Sequence, residues 1–158
     1  SELEMKETKD RVEDSLHATR AAIEQGIVPG GGSALLHASN AIKGDTQGAK
    51  VVKELCTTPF IKILSNAGFE FDEIATIMES VIEAGSWNGY HVHDRKIVNM
   101  KDAGILDPFK VTRNALENAA SVSGTILLTE CVVADEPEEG GSPAMGMPNG
   151  MDPQMLMG

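Results

Sequence analysis

The sequence predicts a mainly α fold: a multihelical bundle with a small β-hairpin and a C-terminal strand, preceded by one long charged helix. Three observations carry this expectation. Apolar residues recur at helical spacings through most of the chain up to about residue 128. Short Gly-, Asp- and Pro-bearing turns separate the helical runs, which sets successive helices side by side. Aromatic residues are 4% of the chain, with one Trp and one Tyr, so the core must be aliphatic and closely packed. A length of 158 residues suffices for one core, or for one domain with appendages.

The first helix is expected over residues 1–25, with Val12, Leu16 and Ile23 on one stripe and Gly26 as its stop. Its first half carries mostly charge and should extend away from the core. A second helix runs from Ser33 to about Ile42, with Leu35, Ala38 and Ile42 inward. Gly44-Asp45-Thr46 is a turn. A third helix covers about Gln47 to Thr57, with Val51, Val52, Leu55 and Cys56 on one face. Thr58 and Pro59 restart the chain as N-cap and first helical residue. Phe60, Ile61, Ile63 and Leu64 follow, and Asn66-Ala67-Gly68 ends that helix. Phe71, Ile74, Met78 and Val81 mark the next.

Ser86 to His93 reads as a short hairpin or irregular loop holding Trp87 and Tyr90. A short helix is expected over Ile97–Ala103. Asp107-Pro108 repeats the cap-plus-proline signal, and a long helix follows to about Leu128. Its small residues, Ala119 to Gly124, predict close contact with other helices and hence a central buried position. Thr129 to Ala134 is a strand with no obvious partner in this chain. From about Glu136 the chain is rich in Pro, Gly, Glu and Met, without periodicity, and is expected to be disordered.

The net charge of -11 argues against nucleic acid and anionic membranes, both polyanions. An anionic ligand would have to be held by backbone amides, a metal ion or a few local cations. Cys56 and Cys131 form no CxxC pair, which suits a reducing compartment and gives no zinc or redox motif. No apolar run is long enough to span a membrane, and the N-terminus opens as a helix, not as a signal peptide. A cytoplasmic location is the expectation.

Three consecutive glycines, Gly30, Gly31 and Gly32, lie between the first helix and Ser33. A glycine turn feeding a helix start exposes amide N–H groups that suit an anion or phosphate, although a plain turn has the same sequence. His91-Val92-His93-Asp94 places two imidazoles on alternate positions, but without a third clear ligand no metal site is assigned. His17 and His37 read as structural, and both cysteines as buried and inert. By spacing alone Asp14 is a solvated acid off the apolar stripe, and Asp107 is a helix cap.

Taken together, Arg11-Val12-Glu13-Asp14, His17-Ala18-Thr19-Arg20-Ala21-Ala22, Gly26-Ile27-Val28-Pro29-Gly30-Gly31-Gly32, Gly104-Ile105-Leu106-Asp107-Pro108, Lys110-Val111-Thr112-Arg113, Ala119-Ala120-Ser121-Val122 and Thr129-Glu130-Cys131-Val132-Val133 resemble the C-terminal portion of a group I chaperonin subunit of the GroEL type. The resemblance runs from residue 1 to about 136. It implies that residues 1–25 are the returning helix of an intermediate domain. Residues 26–136 would be the second half of an equatorial domain, ATP-binding and ring-forming. Residues 137–158 would be a Gly/Met/Pro-rich tail. An apical domain, and the equatorial half with the phosphate-binding loop and a magnesium-binding acid, are outside the resemblance.

The family's activity is ATP-driven enclosure and folding of non-native proteins, with ATP and Mg2+ as cofactors. Its partners are other subunits in a homo-oligomeric double ring, a co-chaperonin of the GroES type and unfolded clients. The resemblance makes Asp14 the catalytic aspartate that orients or activates water, on a helix able to swing over the nucleotide. Gly31 would meet the nucleotide through its backbone near the ribose, with Gly30 and Gly32 shaping the turn. Asp107 would contact the ribose hydroxyls. His91 and Val92 stand where the family usually has Asn and Ala beside the adenine. The isolated chain is expected to hydrolyse ATP negligibly and to differ from the parent in oligomeric state. The alternative is a non-catalytic helical interaction module without nucleotide chemistry.

Overall fold

The computed structural model of the chain describes residues 1–134. Helix α1 (Glu2–Gln25) opens on a capping box: Ser1 Oγ accepts from the Glu4 N–H at 3.4 Å and the Glu4 carboxylate turns back to Ser1. Gly26, at φ 85°, ends it. Only Ala21 is buried on α1, and the expected stripe faces solvent, with Val12 63% and Ile23 81% exposed. The helix extends away as its charge predicts. It is tied to the body near its C-terminal end, through the Glu24–Lys110 ion pair and the Phe109 N–H bond to the Gly26 carbonyl at 3.1 Å.

Strand β1 (Ile27–Pro29) leads through the glycines into α2 (Ser33–Ala41), α3 (Gln47–Leu55), α4 (Thr58–Asn66) and α5 (Phe71–Ala84). Strands β2 (Asn88–His91) and β3 (Lys96–Asn99) form an antiparallel hairpin, and β4 (Leu106–Pro108) returns antiparallel to β1 before α6 (Phe109–Leu127). The fold is mainly α with small sheets, as expected. The core joins Leu36 of α2, Phe60 and Leu64 of α4, Phe69, and Ile74, Ile77 and Val81 of α5. Edge-on packing of Phe69 against Tyr90, centroids 5.5 Å apart, ties the hairpin to it.

Several local expectations are corrected. The segment Ile97–Ala103 is not a helix. Ile97 and Val98 are β-branched and pair with Tyr90 and Gly89, and Asn99 Oδ1 then accepts from the Lys101 and Asp102 amides to form a turn. On α2 the buried face is Ser33, Leu36 and Ser39, not Leu35, Ala38 and Ile42. Gly32 lies against the Phe60 backbone and Gly89 against Ser33, which presses the start of α2 onto α4 and the hairpin. The cap of α4 is Thr57, not Thr58, and the Thr57 hydroxyl donates to the Glu54 carbonyl at 2.7 Å instead of capping.

Helix α3 has no buried residue; Lys50, Lys53 and Glu54 line a groove with Leu36, Met78 and Ile82, while Val51, Val52 and Leu55 are exposed. Helix α6 is not the central buried helix. None of its residues is buried, and Ile126 and Leu127 are 62% and 85% exposed. Among the described residues its main contacts are with α1 and β4, and residues 119–123 of its small-residue stretch are exposed. Thr129–Ala134 carries no strand and is exposed. Cys131 is exposed as well, whereas Cys56 is buried, which raises its thiol pKa. The tail expected from residue 137 lies outside the described residues.

Candidate functional site

The short β1–β4 ladder holds the glycine turn in place. Val28 stands opposite Asp107 and Pro29 opposite Leu106, and the Gly30 N–H extends the pairing to the Ile105 carbonyl at 3.0 Å. The chain then reverses, the Ser33 N–H reaching the Gly30 carbonyl at 3.1 Å. Gly31 and Gly32 take φ values of 63° and 76°, the left-handed region that glycine enters without strain. A Cβ on Gly32 would fall 2.8 Å from the Phe60 nitrogen, so this glycine lets α2 start directly against α4. No side chain caps α2, which leaves its first-turn amides to other acceptors.

The hairpin forms the opposite wall. Its base is fixed by the Met100 N–H bond to the Trp87 carbonyl and the Ile105 N–H bond to the Met100 carbonyl, both 2.9 Å. Between turn and hairpin lies a cavity of about 250 Å3. Gly31, His91 and Val92, predicted from distant parts of the sequence, line it together with Phe60 and Leu64 of α4 and Met100. Gly30 and Gly32 shape the turn without lining the cavity. Asp107 sits half-buried on β4 outside it, beside the same turn through the Val28 pairing. Asp14 is exposed on α1 and does not line it. Tyr90, Met100 and Ile105 are cavity residues that the sequence did not single out. Met100 is fully buried, and its one signal was an isolated apolar residue between Asn99 and Lys101.

Two carboxylates near the cavity are shifted in opposite directions. Burial raises the Asp107 carboxyl above its ordinary pKa. A hydrogen bond from Lys96, then the charge of His91, holds the Asp94 carboxyl below its ordinary value. The Asp94 Oδ2 lies 3.1 Å from Lys96 Nζ and 3.7 Å from His91 Nδ1. His91 Nδ1 also accepts the Asp94 N–H at 3.1 Å.

Apolar walls, a bare glycine backbone and an imidazole suit a flat heteroaromatic base. The volume is below the roughly 300–1,000 Å3 usual for a complete ligand pocket. Neither Lys nor Arg lines it, so its side chains offer a polyphosphate no cation beyond histidine. The residues fit the base end of a nucleotide and not its phosphates. Among the described residues no group of three or more His, Cys, Asp or Glu side chains is placed to hold a metal ion, and no helix is long and apolar enough to cross a membrane.

A sequence profile described as the TCP-1/cpn60 chaperonin family matches residues 1–137. The chain belongs to the TCP-1/cpn60 chaperonin family. Its fold is similar to that in a crystal structure of a group III chaperonin in the open state, with TM-score 0.64 and 24% sequence identity. The similarity covers 72% of this chain and 25% of that one, so the chain spans about a quarter of the length of that chaperonin.

Proposed function

We propose that the chain supplies part of the ATP site and of the ring contacts of an ATP-dependent chaperonin that encloses and folds non-native proteins, and that its sequence motifs make it of the group I kind. The observation that carries this reading is the convergence of Gly31, His91 and Val92 on one cavity, with Asp107 on the adjoining strand. Residues 26–136 act as the equatorial portion and residues 1–25 as an intermediate-domain helix. Gly31 meets the nucleotide through its backbone, Val92 packs on the base, His91 bonds to it and Asp107 accepts from the ribose hydroxyls. When bound, ATP supplies the phosphoryl group whose hydrolysis drives the cycle, with Mg2+ neutralising its charge. Asp14 reaches the site only by movement of α1, and there orients the attacking water.

Other subunits of a homo-oligomeric double ring, a GroES-type co-chaperonin and non-native clients are the partners, in the cytoplasm. The isolated chain turns over ATP negligibly, because its cavity lacks a polyphosphate cradle. A titration with Mg-ADP followed by backbone amide NMR tests this reading. Shifts at Gly31, Tyr90, His91, Val92 and Met100 are the expected result. Absence of those shifts at millimolar nucleotide would remove the nucleotide assignment. In an intact subunit carrying this segment, Asp14→Ala should abolish turnover while leaving nucleotide binding in place.

The non-catalytic interaction module is favoured by a separate observation, the exposed apolar faces of α3 and α6. Failure of the nucleotide titration would leave that reading in the lead.

A further inference from the structure

We infer that His91 is a base-contacting residue, locked by the hairpin turn into a single tautomer that gives the cavity one hydrogen-bond donor and no acceptor. The inference rests on the nucleotide reading above for its ligand, and on hairpin geometry alone for the tautomer. His91 closes β2, paired across the hairpin with Lys96. The turn between them folds back so that the Asp94 N–H points at His91 Nδ1, 3.1 Å away. An amide N–H can only donate, so the nitrogen that receives it must carry the lone pair. The neutral ring then carries its proton on Nε2. Among the described residues Nε2 has no hydrogen-bond partner, and His91 is one of the residues that line the cavity.

The lock is set by the backbone. Arg95 takes φ 50°, the one non-glycine positive φ among the described residues, and its guanidinium lies 4.9 Å from the Phe69 ring centroid. The turn is thereby anchored to the core through the Phe69–Tyr90 contact. Four charged or titratable neighbours belong to the same turn: Asp94, Arg95, Lys96 and the exposed His93. The Asp94 carboxylate is 3.1 Å from Lys96 Nζ and 3.7 Å from Nδ1, so the backbone amide, at 3.1 Å, is the nearer of the two Asp94 groups to Nδ1.

A side-chain amide at this position would present both a donor and an acceptor, and so could accept from the exocyclic amine of adenine. His91 in the Nε2–H form cannot. It can donate to a ring nitrogen of any purine or to a 6-oxo group. The site is therefore one that tolerates 6-oxo purine nucleotides beside adenine nucleotides.

Two measurements on the full chain test this. Long-range 1H–15N correlation of the His91 imidazole, at a pH where the ring is neutral, reads the tautomer without any ligand. A single Nε2–H form is expected, kept in Asp94→Asn, which retains the amide, and averaged in Asp94→Pro, which removes it. An Nδ1–H ring, or a ring unaffected by Asp94→Pro, overturns the inference. The second measurement compares ADP with IDP by NMR titration. Near-equal affinities are expected for the natural chain, and a roughly five- to tenfold loss for both nucleotides in His91→Phe, which keeps a ring without a donor, the worth of about one hydrogen bond. A strong ADP preference in the natural chain overturns the predicted tolerance. If the tautomer is as stated but neither nucleotide binds, the nucleotide reading falls and the tautomer assignment stands without a ligand role.

Discussion

Gly89 of β2 lies directly against Ser33 at the start of α2: a Cβ added to Gly89 would fall 2.3 Å from Ser33 Oγ and 2.8 Å from Met100 Cγ. Ser33 is fully buried and its hydroxyl has no hydrogen-bond partner. Hairpin and helix are pressed together at the back of the cavity with no room for a methyl group on one side and an unpaired polar atom on the other.

Opposite outcomes follow for two one-carbon-scale changes. Ser33→Ala removes an orphaned hydroxyl and should leave stability unchanged or raise it by up to about 1 kcal/mol. Gly89→Ala overpacks the contact and should cost roughly 1–3 kcal/mol. Urea denaturation of both variants checks the pair; a destabilised Ser33→Ala would mean that the hydroxyl has a partner in solution.

Gly31 and Gly32 should differ although both have positive φ. At Gly32 a Cβ meets backbone of Phe60 at 2.8 Å, whereas at Gly31 the nearest atom is the flexible Met100 methyl at 3.3 Å. Gly31→Ala should cost about 1–2 kcal/mol, mainly from the left-handed backbone, and Gly32→Ala at least about 1 kcal/mol more because backbone must move. Equal thermal shifts would contradict this order.

Asp107 and Asp94 make opposite contributions to the pH dependence of stability. Asp107 has a raised folded pKa, so its contribution is fully present below the unfolded value near 3.9 and is lost as pH rises through the folded one. Asp107→Asn should therefore flatten the loss of stability on going from acid toward neutral pH. Asp94 has a lowered folded pKa, so its contribution is present above about 3.9 and disappears as pH falls through the folded value. Asp94→Asn should lose that acid-side slope. Denaturant midpoints between roughly pH 2.5 and 7, bracketing that reference pKa, read both.

Helix α6 and the core should respond differently to truncation. Leu36→Ala in the core is expected to cost about 2–5 kcal/mol and Phe60→Ala about 3–5. Leu127→Ala, at a side chain 85% exposed, should stay within about 0.5 kcal/mol. A large effect at Leu127 in the free chain would show that α6 is covered after all.

The helical period, the glycine stops and the proline restarts made the order of helices legible, because these signals act within one turn of chain. Which face each helix buries was not legible. On α2 the start of the buried face is set by how closely Gly32 and Gly89 let neighbours approach, so Ser33 is buried beside Leu36 where the spacing pointed to Leu35. The apolar stripes of α1, α3 and α6 were visible, but a stripe does not say whether a partner lies against it. Ile97 and Val98 were too short a run to separate helix from strand without the pairing to Gly89 and Tyr90. Of the candidate site, Gly31, His91 and Val92 were named through the resemblance and share a cavity. Met100 and Ile105 were missed because their role comes from tertiary closure alone.

The uncovered rows on α3 and α6 have a colloidal consequence. Val51, Val52, Leu55, Val122, Ile126 and Leu127 give each molecule adhesive surface, and the net charge of -11 keeps molecules from meeting. That repulsion reaches about 30 Å in 10 mM salt but only about 3 Å in 1 M. Dilute buffer should hold the free chain dispersed, and concentrated salt should let the rows find one another. Light scattering across a salt series would then rise steeply, the reverse of what an assembly held by ion pairs would show.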